Sequence, residues 1–208
     1  MNAAAATLQT PQVAPEDQAR ADFYALLARL FYAGPDAKLM AAVAGADELV
    51  AEGGDAKVAE AWRDLVAAAA ATDPDAAREE YDLVFIGTGK AEVTPFAAHY
   101  MTRTGAEMVL ARLRGELAQI GLQRSPSARE PEDHFAALCD VMRHLIMAGG
   151  GGDAALQEES RFFEAYIRPG FEAFCDAILA SQNTNFYKPV ARFAKAFFAI
   201  EVESFGML

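Results

Sequence analysis

Apolar residues recur along most of the chain at i, i+3, i+4 and i+7, the spacing that puts them on one face of a helix. Phe23, Leu26, Leu27, Leu30 and Phe31 form the first such stripe. Pro15, Glu16 and Asp17 open it as a first turn, and Gly34-Pro35 stops it. Short helices are expected over 37–44 and 47–52, and a longer one over 55–72 carries Trp62, Leu65 and Val66. Thr72-Asp73-Pro74 is an N-terminal signal for a helix over 74–86, on which Tyr81, Val84 and Phe85 share a face. After a loop over 87–95 come a short helix and a longer one over 106–120.

The segment 121–130 is polar and basic and is read as a lobe boundary. Glu130-Pro131-Glu132-Asp133 is expected to open the next helix, whose stripe is Phe135, Leu138, Cys139, Met142, Leu145 and Ile146. Further helices are expected over 153–168, 169–180 and 186–203, the last with Phe193, Phe197 and Ile200 on one face. No strand alternation and no fixed-period repeat appears. The pattern predicts an all-α, bundle-like fold of about ten helices without a sheet: residues 1–15 as a flexible tail, then one helical domain over 16–208.

Composition adds what holds such helices together. Much of the 53% hydrophobic content is alanine, so the 14 Phe and 6 Tyr must supply most of the buried area. A net charge of −12 disfavours nucleic acid and anionic membranes and favours cationic partners. Cys139 and Cys175 lie in apolar patterns outside any CxxC arrangement, which suits a reducing, cytoplasmic setting. The first fifteen residues have no basic-then-apolar export pattern, and no apolar run is long enough to insert stably into a membrane.

Few residues offer chemistry. Gly87-Thr88-Gly89-Lys90 superficially suggests a phosphate loop, but Val84 stands where the first glycine is required and Ala91 where Ser or Thr is required. The three histidines His99, His134 and His144 form no Glu-x-x-His pair. Asp140 and His144 are spaced i, i+4, as in a surface ion pair. A small helical metal-binding protein or enzyme using His134 or His144 is therefore the alternative reading, and no cofactor is expected. Glu130-Pro131-Glu132-Asp133-His134 has the chemistry of a helix start with acids in its first turn. Tyr81, Val84 and Phe85 have the spacing of a core stripe.

These segments, "YDLVFIG" at 81–87, Thr94-Pro95-Phe96 with Tyr100, "EPEDH" at 130–134 followed by "FAALCDVM", and the terminal "ARFAKAFFAIE", occur in an order that resembles the TorD/DmsD/NarJ family of redox-enzyme maturation chaperones. The resemblance implies an all-helical cytoplasmic protein that binds and does not catalyse. Its expected partners are the twin-arginine leader and apo form of a molybdoenzyme catalytic subunit, such as a formate dehydrogenase or an S/N-oxide reductase, held until the cofactor is inserted. Carried over by position, the implied leader-binding residues are Tyr81, Val84, Phe85, Pro95, Phe96, Tyr100, Asp133 and His134. Phe96 and Tyr100 stand where some members carry tryptophan. Monomer and dimer are both compatible with the sequence.

Overall fold

The computed structural model describes residues 13–49, 56–126 and 128–208. Most of the expected tail, residues 1–12, lies outside them. Among the described residues there are ten α-helices, one π-helical turn and no strand. The helices are α1 Pro15–Tyr32, α2 Ala37–Ala44, α3 Ala56–Ala71, α4 Pro74–Tyr81, α5 Ala97–Met101, α6 Ala106–Gln119, α7 Phe135–Gly149, α8 Asp153–Tyr166, α9 Phe171–Ala180 and α10 Tyr187–Phe205.

The expected stripes become the interfaces. Helix α1 lies along α7 at the centre, α3 and α9 flank α10, α2 covers α3, and α8 covers the far side of α7. Tyr24, Leu27, Leu30 and Phe31 of α1 are fully buried. Phe23 leans the other way, its ring 5.1 Å from Phe193 and 5.5 Å from Trp62. A second aromatic cluster centres on Phe174, stacked on Phe135 at 4.3 Å and edge-on to Phe31 at 5.0 Å. Offset and edge-to-face rings of this kind contribute beyond the area they bury.

Two long-range polar contacts fix the frame. The Glu80 carboxylate accepts the backbone N–H groups of Phe186 and Tyr187 at 3.0 and 2.7 Å, so α4 caps α10, whose own N-cap Phe186 cannot do so. Arg20 of α1 meets Glu201 of α10 through Nε and Nη2 at 2.8 and 2.9 Å and Glu159 of α8 at 2.9 Å. Tyr24 donates its hydroxyl to Glu201 at 2.9 Å. Both glutamates are buried, so Arg20 is what makes their burial tolerable.

Three local expectations are corrected. Residues 47–49 are irregular, not helical, and the Asp47 carbonyl accepts the indole N–H of Trp62; the remainder of that expected helix lies outside the described residues. The helix expected over 74–86 keeps α-geometry only to Tyr81, and Asp82–Ile86 is a π turn closed by Gly87 N–H to the Asp82 carbonyl at 2.8 Å. Gly87 sits at φ 63°, where a Cβ would come within 2.2 Å of the Lys90 carbonyl oxygen, so glycine is required there. Helix α7 starts at Phe135 instead of Pro131, because the Phe135 N–H is taken by the Pro95 carbonyl at 2.9 Å and residues 131–134 form a turn.

Candidate functional site

The loop after the π turn and the approach to α7 meet in a single bridge. Phe96 and His134 pair as an isolated antiparallel β-bridge. Beside it, Ala97 N–H donates to the Asp133 carbonyl at 2.8 Å, and Ala98 N–H to an Asp133 carboxylate oxygen at 3.3 Å. Asp133 is 6% exposed; burial raises its carboxyl, and the Ala98 N–H partly offsets that. It holds the Pro95–Phe96 segment down on α7 and faces inward.

His134 is 2% exposed and is the N-cap of α7, its Nδ1 accepting the Ala136 N–H at 3.1 Å. An imidazole nitrogen that accepts carries no proton, so the neutral ring bears its proton on Nε2. Burial lowers the His134 pKa to about 4, which keeps it neutral at physiological pH. Its ring is edge-on to Phe96 at 5.4 Å and to Tyr32 at 6.2 Å.

Two clefts open on either side of this histidine, each of about 390 Å³. The aromatic cleft is walled by Tyr81, Phe85 and Ile86 from the α4–π turn, by Pro95 and Phe96, and by Arg129 at its rim. The loop cleft lies between residues 122–125 and 128–132 on one side and α7 on the other, with Leu117, Leu122, Ala137 and Val141 as apolar surface and Asp140 and His144 along its α7 side. Tyr32, Glu130 and His134 border both. Residues of the segment expected as a lobe boundary also line the loop cleft.

Charge around the two clefts is unevenly satisfied. Glu132 is held by Arg114 at 3.0 Å and by Arg124 at 3.7 Å, which together lower its carboxyl against the effect of burial. Arg124 also donates to the Ala128 carbonyl at 3.0 Å. Glu130 and Asp140 form no ion pair among the described residues, and the expected Asp140–His144 pair is likewise not formed among them. Partial burial raises the Asp140 carboxyl, with Arg143 pulling the other way.

The eight residues drawn from the sequence fall into two groups. Tyr81, Phe85, Pro95, Phe96 and His134 come together around the aromatic cleft. Val84, Tyr100 and Asp133 stand behind it: Val84 is fully buried, Asp133 bonds inward, and Tyr100 donates to the Thr94 carbonyl at 2.8 Å while packing on Phe174. Sequence reasoning missed Tyr32, Ile86, Glu130 as a cleft residue, and Asp140. Tyr32 carried a signal, being an aromatic off the buried stripe at the end of α1 and 52% exposed. Among the described residues no three His, Cys, Asp or Glu side chains gather as metal ligands.

A family model described as the nitrate reductase delta subunit matches residues 51–176, which include the π turn, the Phe96–His134 bridge and all of α7. The chain belongs to this family. Nitrate reductase delta subunit proteins of the NarJ/TorD-like kind are redox-enzyme maturation chaperones. The same helical arrangement occurs in a crystal structure from Archaeoglobus fulgidus, provisionally assigned as a redox enzyme maturation protein. It is 19% identical, with a TM-score of 0.53 over 94% of this chain and 98% of that one. No curated protein sequence matches the chain. None of the described helices is long and apolar enough to cross a membrane.

Proposed function

We propose that this delta-subunit family protein is a cytoplasmic chaperone that binds the twin-arginine leader of a molybdoenzyme catalytic subunit, such as a formate dehydrogenase or an S/N-oxide reductase, and keeps the apo-enzyme from export until its cofactor is in place. It acts by binding and release, without catalysis. The observation that carries this reading is the junction of the two clefts, where apolar and aromatic walls meet carboxylates left without ion-pair partners. A twin-arginine leader joins cationic side chains to an apolar stretch, and both halves find complementary surface here. Ile86, 57% exposed on the π turn, extends the apolar surface of the aromatic cleft outward, and Leu83 of the same turn is 54% exposed. The net charge of −12 favours encounter with a cationic segment.

Asp133 enters this reading as a positioning residue. It fixes Phe96 against His134, so the leader meets the bridge it builds and not its carboxylate. Isothermal titration with a synthetic twin-arginine leader peptide of a molybdoenzyme catalytic subunit tests the proposal. Saturable one-to-one binding is expected, weakening as salt rises and when both arginines are replaced by glutamine. Equal affinity for the arginine and glutamine leaders at low and high salt removes it.

A further inference from the structure

We infer that α6 is a latched strap: it swings as a unit about Gly105 and Gly121, and its position sets how wide the loop cleft stands open. The strap belongs to the free chain and does not depend on what enters the cleft.

Helix α6 is lightly anchored. Of its 14 residues only Leu113 and Leu117 are buried, and Met108 is exposed. Its N-cap, Gly105, has φ 86° and supplies no side-chain cap. Just past its C-cap, Gly121 has φ 75° and open space where a Cβ would stand. Left-handed glycines at both ends are pivots that other residues resist. Between them the helix holds together as one body, because Leu122 N–H donates to the Leu117 carbonyl at 2.8 Å and Arg112 meets Glu116 one turn on at 3.0 Å.

Room to move lies on both sides. Leu117 lines the loop cleft of about 390 Å³, so a swing that carries it outward widens that cleft. Gln119 and Ile120 line a separate groove of about 340 Å³, shared with Leu145 and Gly149 of α7 and Ala155 of α8. A close-packed contact would leave neither space. What holds the helix down is polar and wet. Arg114 reaches Glu132 at 3.0 Å, and Arg161 of α8 reaches Glu116 at 2.9 Å, both arginines being exposed. The Arg112 guanidinium lies over the Tyr166 ring at 5.7 Å, yet the buried Tyr166 hydroxyl has no hydrogen-bond partner among the described residues, so the contact with α8 is incomplete. Exposed ion pairs are individually weak and screened by salt, which makes these two releasable.

Thiol labelling of the full chain tests the strap. Leu117→Cys puts a reporter on its buried face, while Cys139 and Cys175, fully buried in α7 and α9, report global unfolding in the same sample. The introduced thiol is expected to react about tenfold faster than the native pair, or more, because the strap opens without the core. Arg114→Gln together with Arg161→Gln releases both latches and is expected to raise the introduced thiol's rate about fivefold, with the native rates unchanged. Added salt should raise that rate while the latches are present and not once they are removed. Leu117→Cys trims a buried side chain, so spin labels on exposed Ala118 of α6 and Gln157 of α8 give a second reading with the core intact. A longer-distance population is expected there, growing with salt and in the latch-free variant. The strap is overturned if the introduced thiol reacts no faster than the native pair, if neither salt nor the latch substitutions change its rate, or if a single distance persists in the latch-free variant.

Discussion

Tyr81 donates its hydroxyl to the Tyr32 carbonyl at 2.6 Å, and to the Phe31 carbonyl at 3.2 Å, so the last residue of α4 holds the last turn of α1. Both rings also line the aromatic cleft, which makes one hydrogen bond the hinge between fold and site. Tyr81→Phe keeps the ring and leaves buried carbonyls unpaired. It should lower stability by about 1–2 kcal/mol in chemical denaturation. Leader affinity should fall as well, because Tyr32 is no longer anchored.

Phe85 and Phe96 face the same cleft from different depths. Phe85 is 4% exposed and packs on Tyr81 and Tyr187 with ring centroids at 5.1 and 5.0 Å. Phe85→Ala should cost about 3–5 kcal/mol through the cavity it leaves. Phe96 is half-buried and edge-on to His134. Phe96→Ala should cost much less stability and show its effect mainly in leader titrations, so melts and titrations on the same samples separate the two.

His134 gives stability a definite pH dependence. Its folded pKa of about 4 lies below the 6.5 of an ordinary imidazole, so the folded chain binds fewer protons than the unfolded one. The contribution is complete above about pH 6.5 and is lost as pH falls toward 4, amounting to roughly 3 kcal/mol over that window. Asp133, Asp140 and Glu159, whose carboxyls are raised, act in the opposite sense. The comparison of wild type with His134→Asn therefore isolates the effect: the wild-type denaturation midpoint should fall relative to that of the variant as pH is lowered from 7 to 4.5. A constant gap would refute the assignment.

Arg20→Ala strands Glu201 and Glu159, which are 1% and 3% exposed, without their cation. Breaking a buried ion cluster from one side costs about 3–5 kcal/mol. The loss should be smaller at mildly acid pH, where the Glu159 carboxyl, raised by burial, takes up a proton, and thermal melts across pH will show it.

The fold was largely legible because helical periodicity is a local property. The stripes of α1, α7 and α10 pack as their spacing implies, and the Asp73-Pro74 start is realised, with the Asp73 carboxylate accepting the N–H groups of Asp75 and Ala76. What the sequence hid depends on partners far along the chain. No local signal says that Phe135 N–H will choose the Pro95 carbonyl over an intrahelical one, and that choice shortens α7. The π turn has no periodic signature over five residues. Asp133 and His134 are adjacent in sequence, yet one turns inward to Ala98 and the other borders both clefts, a division that only the bridge to Phe96 creates. Asp140 has the spacing of a helix-surface pair with His144, and only the fold sets it in one cleft with residues 122–125 and 130–132.

The π turn spaces the chain so that the Val84 carbonyl accepts Val93 N–H at 3.0 Å. Residues 85–92 are thereby closed at their root, and the tip at Gly89 has nothing near it. A loop clasped in this way is mechanically insulated from what lies beneath: length added at the tip need not be felt by Phe85 or Pro95. The same position is a natural graft point for a fluorophore or affinity tag that reports on an occupied cleft without reshaping it.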